Sequence, residues 1–319
     1  MMEPTFMGGL RNRLFSPDPA DVTFVKRGFH SQDSERTAGL EKVGATFLDG
    51  FGYGMAGRDL PGMERSLETV DRPMRGFGYE GCAMALAIRD ALRPVGRHWV
   101  RDFLASRGDA HVYMVHVGVG WAMARLPSLR WGAIMPADRL LRWLALDGYG
   151  FHQAYFRTSQ YVYERFQGPL PVWRPAGYPN RVVDQGIGRA LWFVSGADVQ
   201  RLAQTIGRFA RGRRGDLWSG AGLASVYAGG SDVDDLETMA RLAGEYRPDV
   251  AQGAAFAAKA RVRAGLVTPH TELAVKVYCG MPADQAAAVT DDALESLPDS
   301  ADGVPAFELW RQRIRKQFA

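Results

Sequence analysis

The sequence is poor in the residues that mark several functional classes, and each shortage excludes something. Only two cysteines occur, Cys82 and Cys279, far apart and outside any CxxC or Cys/His spacing, which argues against a disulfide framework and a zinc site. The six histidines stand at 30, 98, 111, 116, 152 and 270, and no two have the three- or four-residue spacing that puts paired ligands on one helix face. Charge of one sign is also lacking: 39 basic residues face 35 acidic ones, a net charge of +4, so nucleic acid is not implied. The longest uncharged run, residues 110–124, is 15 residues, short of the ~20 needed to cross a bilayer. The first twenty residues hold Arg11, Arg13 and Asp18 and no continuous apolar core, so a secretory leader is not expected and a cytoplasmic location is. GxSxG, Walker A and HExxH signatures are absent. The GxG pairs at Gly148 and Gly186 lack the third glycine and the preceding strand of a dinucleotide fingerprint. No metal or cofactor is expected.

What is present is a folded, helix-rich composition, 46% hydrophobic and 11% aromatic, with a repeat marked by glycine. A glycine, any residue, then Gly or Ala, followed by small and aromatic residues, begins at Gly50, Gly81, Gly118, Gly148, Gly186, Gly220 and Gly253, at intervals of 30 to 38 residues. Spacing in this range signals a repeat architecture. Each unit splits into two helices, most clearly between Asp216 and Asp249, where DLWSGAGLASVYAGG precedes SDVDDLETMARLAGEYRPD. Asp216 and Asp249, four residues before their glycines, are expected to cap the first helices, and Gly196, Gly229 and Gly265 to close them. Second helices carry apolar residues at helical spacing, as at Leu236, Met239, Ala240 and Ala243.

Glycine inside a helix costs about 1 kcal/mol relative to alanine, so its recurrence calls for close helix contact. The layout resembles tetratricopeptide repeats: Trp218 stands four residues before Gly222, and Pro248 follows the second helix. The expected fold is therefore all-α, about seven tetratricopeptide-like helix pairs forming a solenoid or a closed helical toroid. Residues 1–33 read as an N-terminal arm, with a short strand or extended stretch over 21–30, residues 34–298 as the repeat domain, and 299–319 as a capping helix. In that last helix Phe307, Trp310 and Ile314 share one face, and Arg311, Arg313, Arg315 and Lys316 suit its C-terminus.

The candidate chemistry lies on the first helices. His152, beside Gln153 and near Tyr149 in LDGYGFHQAYF, is either a hydrogen-bonded core imidazole or a functional one. Asp184, Gln185 and Gln252, just before repeat glycines, either bond neighbouring repeats or point into a common cavity, with Arg189 one turn beyond Gln185 and Trp192 lining the layer. His152 and Asp184 are the candidate catalytic residues. Gln153, Gln185, Arg189, Gln252, Trp192 and Tyr149 are the candidate substrate-binding ones, and Asp184, Gln185 and His152 are expected to approach one cavity. His270 and Glu272 in TPHTELA read more simply as part of a helix start at Thr268 or Thr271, and the acidic run from Asp232 to Glu237 as a helix first turn.

The strings EGCAMALAIRD, HVYMVHVGVGWAMARLP, LDGYGFHQAYF, VVDQGIGRALWF and YRPDVAQGAAFAAKARVRAGL resemble a family of unknown function encoded beside enediyne polyketide synthases in actinobacterial clusters, over residues 27–318. That resemblance implies a part in making an enediyne core or a related polyene-derived metabolite, within secondary metabolism leading to an antibiotic, and assigns no catalytic residue. Two readings follow. In one, the chain takes a long apolar polyketide intermediate into a helical cavity and assists its rearrangement or cyclisation. In the other, it is a non-catalytic scaffold or carrier for the synthase, its product or other proteins of the cassette. Neither nucleic acid nor a membrane is an expected partner.

Overall fold

The structure is a computed structural model, and it describes residues 18–92, 98–170, 173–175 and 177–319. Residues 1–17, most of the stretch read as an N-terminal arm, lie outside the described residues. Among the described residues the fold is all-helical but for one two-residue antiparallel ladder, Ser300–Ala301 with Val304–Pro305. No helix among them is long and apolar enough to cross a membrane. The chain forms two compact units. The first comprises Met1–Gly28 with Glu41–Tyr149, and the second Phe29–Leu40 with Gly150–Ala319.

The longer helices are α1 (Ser34–Ala56), α2 (Leu60–Glu68), α3 (Arg75–Leu92), α4 (Val112–Arg125), α5 (Leu144–Phe156), α6 (Tyr178–Val194), α7 (Val199–Gly207), α8 (Arg211–Ala228), α9 (Val233–Ala243), α10 (Arg247–Arg263), α11 (Pro269–Cys279), α12 (Ala283–Asp292) and α13 (Ala306–Gln317). Their starts follow ordinary capping chemistry. The carboxylates of Asp59, Asp198 and Asp232 and the hydroxyl of Thr268 accept backbone N–H groups at the heads of α2, α7, α9 and α11. Gly229 ends α8 at φ 74°, where an L side chain is strained.

Two kinds of helix alternate along much of the chain. The short ones are amphipathic: α7 buries Val199, Leu202 and Ile206, and α9 buries Leu236, Met239 and Ala243. Others are buried on every face, continuously over Gly76–Ala91 in α3, Val182–Val194 in α6 and Val250–Ala258 in α10.

Glycine brings these buried helices together backbone to backbone. In the first unit a Cβ added to Gly81 would fall 1.9 Å from the Phe47 carbonyl oxygen, and one on Gly118 2.2 Å from that of Glu80. Gly120 and Gly148 make reciprocal contacts, 1.9 Å from Ala145 oxygen and 2.0 Å from Val117 oxygen. In the second unit the same distances are 2.2 Å for Gly150 on Val183, 2.0 Å for Gly188 on Leu217, 1.9 Å for Gly220 on Gln185, 2.4 Å for Gly222 on Val250 and 1.9 Å for Gly253 on Ser219. All are too short for any Cβ.

Three expectations are corrected. Residues 21–30 form no strand: Pro19–Val22 is a 3-10 turn and Phe24–Arg27 a helical turn capped by Thr23. Asp216 is not an N-cap, because α8 starts earlier, at Arg211, and places Asp216 in its buried interior. Asp249 is likewise inside the first turn of α10, after Pro248.

Candidate functional site

Asp184 lies on the fully buried stretch of α6 and is 1% exposed. Arg213 of α8 grips its carboxylate through two nitrogens, Nη2 to Oδ1 at 2.5 Å and Nε to Oδ2 at 2.9 Å, and Gln167 Nε2 donates to Oδ2 at 3.2 Å. The third arm of Arg213, Nη1, donates to the Arg165 carbonyl at 2.6 Å, so the pair also pins the segment that follows α5. Burial raises the Asp184 pKa to about 6, against the lowering pull of Arg213.

His152 sits half-buried on α5, its ring 4.7 Å from that of Phe156. Around it is an aromatic cluster: Tyr155 contacts Phe29, Phe151, Phe156 and Phe193, and Phe151 meets Phe193 edge to face at 5.4 Å. Arg189 belongs to this cluster, with its guanidinium carbon 5.1 Å from the Phe151 ring centre and only 6% exposure. Gln153, also buried, donates to the Tyr161 hydroxyl at 3.2 Å.

The remaining candidates have other surroundings. Trp192 is fully buried and donates its indole N–H to the Gly229 carbonyl at 2.9 Å, closing the C-terminal end of α8. Gln185 is fully buried, and its backbone carbonyl is the surface on which Gly220 rests. Tyr149 is half-buried, edge to face with Trp131 in the first unit. Gln252 accepts from Ser219 Oγ at 2.8 Å and from Arg311 Nε at 3.2 Å. The structure thus brings Arg189 to the aromatic residues around His152. Asp184 and Gln252 have partners on other elements, Arg213 and Arg311.

Sequence reasoning missed a buried polar assembly that Arg311 centres. Arg311 is 0% exposed, and its guanidinium reaches Asp216 at 2.8 Å and Glu308 at 3.2 Å. Arg181 also bridges both carboxylates, at 3.0 Å and 3.1 Å. Arg315 adds a 2.6 Å contact to Glu308 and a 3.6 Å contact to Asp249, and the Tyr178 hydroxyl donates to Glu308 at 3.2 Å. Burial alone would raise the Glu308 pKa, but Arg311, Arg315 and Arg181 bring it down to about 2. The three-residue offset of Glu308 and Arg311 and the four-residue offset of Arg311 and Arg315 were visible in sequence, but nothing local distinguishes a buried basic face from a solvated one.

His270 and the acidic run have structural partners too. Thr268 caps α11 by accepting the Thr271 N–H at 3.1 Å, Glu272 accepts the Ala283 N–H at 3.0 Å, and the His270 ring bonds the Ser225 carbonyl at 2.8 Å. Asp232 caps α9, and Arg36 pairs with Asp232 and Asp235.

A family model described as a protein of unknown function, DUF1702, matches residues 6–318. The chain belongs to the DUF1702 family. Neither a curated protein nor a solved structure matches it. The DUF1702 match takes in the aromatic cluster, the Asp184 pair and the whole Arg311 assembly, while its description assigns a role to none of them.

Proposed function

We propose that this DUF1702 protein is a binding protein of natural-product biosynthesis that holds a long apolar intermediate, of the enediyne or related polyene polyketide type, and assists its rearrangement or cyclisation. The observation that carries the reading is the aromatic cluster of Phe151, Tyr155, Phe156 and Phe193, with the half-buried His152 beside Phe156 and the buried Arg189 over Phe151. A polyene is flat, apolar and polarisable, and aromatic faces with one cation and one imidazole provide dispersion, orientation and a proton-transfer group. The resemblance to proteins encoded beside enediyne synthases supplies the substrate class. In each unit we read the glycine-stacked helices as the first members of tetratricopeptide-like pairs, and the periodic carbonyl contacts of the repeat glycines support this.

A scaffold or carrier role is favoured by a different observation: the candidate carboxylate Asp184 is held in a two-nitrogen grip by Arg213, which suits structure more than proton transfer. One experiment separates the readings. Protein purified from its producing host is examined by native mass spectrometry for retained ligand, and a gene deletion is complemented with His152→Ala and Asp184→Asn. A co-purified polyene with loss of product in His152→Ala supports an assisting role. A co-purified polyene with full product in both variants supports a carrier, and absence of any apolar ligand removes the binding proposal.

A further inference from the structure

Between α5 and α6 the chain forms a strap with buried ends and an exposed middle. Tyr161 and Trp173 are 5% and 1% exposed, whereas Tyr163 and Phe166 between them are 56% and 40% exposed, and residues 163–167 are all at the surface. Aromatic side chains left in solvent give the strap little apolar burial, the condition under which a segment opens without the rest of the fold. Its backbone is irregular as well. Ser159–Tyr163 is a single turn of π-helix, and the Glu164 and Phe166 N–H groups donate to the Ser159 and Gln160 carbonyls at 2.9 Å and 3.0 Å. Arg165 is held at φ 56°, in the left-handed region that costs a residue with a side chain free energy.

A buried ion pair ties this strained turn to α6 and α8. Arg213 donates to the Arg165 carbonyl while it grips Asp184, and Gln167 donates to the same carboxylate from the strap itself. The charged groups that act on Asp184 are Arg213 and Asp216 of α8 and Arg181 of α6, and burial outweighs the pull of the two arginines. An ionised Asp184 is therefore poorly accommodated beneath the closed strap. Lifting the strap lets water replace Gln167 at Oδ2 and leaves the Arg213 grip intact, which removes desolvation without removing the counter-charge. The closed strap thus binds the Asp184 proton more tightly than the open one. Closure is favoured at low pH, and that preference is lost as pH rises from 3.8 to about 6.

We propose that residues 159–170 are a proton-controlled strap, closed over Asp184 while that carboxyl carries its proton and opening when the proton leaves. Opening unwinds the π-turn, frees Arg165 from its left-handed conformation and brings a sealed carboxylate to solvent. It also parts Phe166 from Tyr161, whose rings meet edge to face at 5.6 Å.

Hydrogen exchange on the full chain, with the intrinsic rates divided out, reads the opening at the Glu164 and Phe166 amides. Their protection should fall at least about tenfold between pH 4 and pH 7, because a carboxyl that titrates near 6 when closed and near 3.8 when open shifts the balance by up to about a hundredfold. At every pH it should lie at least about tenfold below that of the α8 amides, which mark unfolding of the whole chain. In Asp184→Asn, which has no proton to lose, the fall should shrink below about twofold. A smaller fall in the wild type, protection equal to that of α8, or a full fall in Asp184→Asn overturns the proposal. Should Asp184→Asn fail to fold, Gln167→Ala takes its place. Losing the strap's own bond to the carboxyl should lower the protection of both amides at pH 4 by about threefold or more, and unchanged protection overturns the proposal.

Discussion

Ser219 donates its hydroxyl to the side-chain carbonyl of Gln252 at 2.8 Å, and each of the two stands one residue before a repeat glycine, Gly220 and Gly253. Both are fully buried on neighbouring helices, α8 and α10. The polar positions that precede the glycines therefore serve, at least here, to satisfy each other between helices, and Arg311 completes the acceptor. Ser219→Ala should cost about 1 kcal/mol in urea denaturation, the usual worth of a buried neutral hydrogen bond. The loss stays small because the Gln252 oxygen keeps Arg311. A cost near zero would mean that the two side chains do not bond.

Glycine packing makes a sharper prediction. An alanine at Gly220 or Gly253 would put its Cβ 1.9 Å from a carbonyl oxygen of the neighbouring helix, and a backbone cannot yield as a flexible side chain does. Each substitution should destabilise by about 3 kcal/mol, at the upper end of ordinary overpacking. Gly39, inside α1 with nothing within 4 Å of its Cβ position, is the control. Gly39→Ala should stabilise by up to about 1 kcal/mol through helix propensity. Equal midpoints for Gly220→Ala and Gly39→Ala would defeat the packing argument.

How much of this could be read from the sequence depends on the range of the interaction. The glycines were legible because a helix that tolerates Gly at a fixed interval is constrained locally, and the buried run of α4 from Met114 to Met123 was visible within the uncharged stretch 110–124. Thr268 capping α11 and Gly229 ending α8 were legible for the same local reason. The partners of Asp184, Asp216 and Gln252 were not. Arg213 lies 29 residues from Asp184 and Arg311 lies 59 from Gln252, and no periodicity links a carboxylate to a guanidinium so far away. The distance of Asp216 from its glycine suits a helix cap, but α8 begins five residues earlier, at Arg211.

Glu308 should make the protein sensitive to acid. Its pKa in the fold is about 2, below the 4.5 of a free glutamate, so its contribution is fully present above pH 4.5 and is lost as pH falls toward 2. The corresponding free energy is on the order of 3 kcal/mol for this buried group. Glu308→Gln should flatten the stability profile over that window and lower stability at pH 7, because Arg311 is left with one fewer buried counter-charge. An unchanged acid limb in the variant would show that the carboxylate is not held by the three arginines.

Asp184 should act with the opposite sign in a different window. Its pKa in the fold is raised to about 6 from 3.8, so the folded state binds the proton more tightly than the unfolded chain does. Stability from this group is greatest below pH 3.8 and declines as pH rises to about 6. Asp184→Asn should remove that decline and leave the Glu308 limb intact. Urea midpoints at intervals between pH 3 and 8 check this, and a variant whose profile still falls between pH 4 and 6 would refute the assignment.

Two arginines at one repeat position supply the last prediction. Arg89 stands eight residues after Gly81, and Arg261 stands eight after Gly253. Arg89 Nη1 donates to the Gly57 carbonyl at 3.1 Å and Arg261 Nη2 to the Tyr227 carbonyl at 2.6 Å. Gly57 and Tyr227 each lie seven residues after the preceding repeat glycine, Gly50 and Gly220. Both guanidiniums also lie 3.9 Å from an aromatic ring centre, Trp99 for Arg89 and Tyr227 for Arg261. The two sites thus use one device: a planar cation that satisfies a carbonyl near a helix C-terminus while stacking on a ring. Lysine keeps the charge but has neither the fork nor the flat face, and its compact ammonium is harder to desolvate. Arg89→Lys and Arg261→Lys should therefore each cost about 2 kcal/mol, the worth of a buried charged hydrogen bond. Arg211→Lys, in an exposed pair with Glu245, should stay within about 0.5 kcal/mol of wild type. If the two buried substitutions are as mild as the exposed one, the equivalence drawn between these positions has no energetic content.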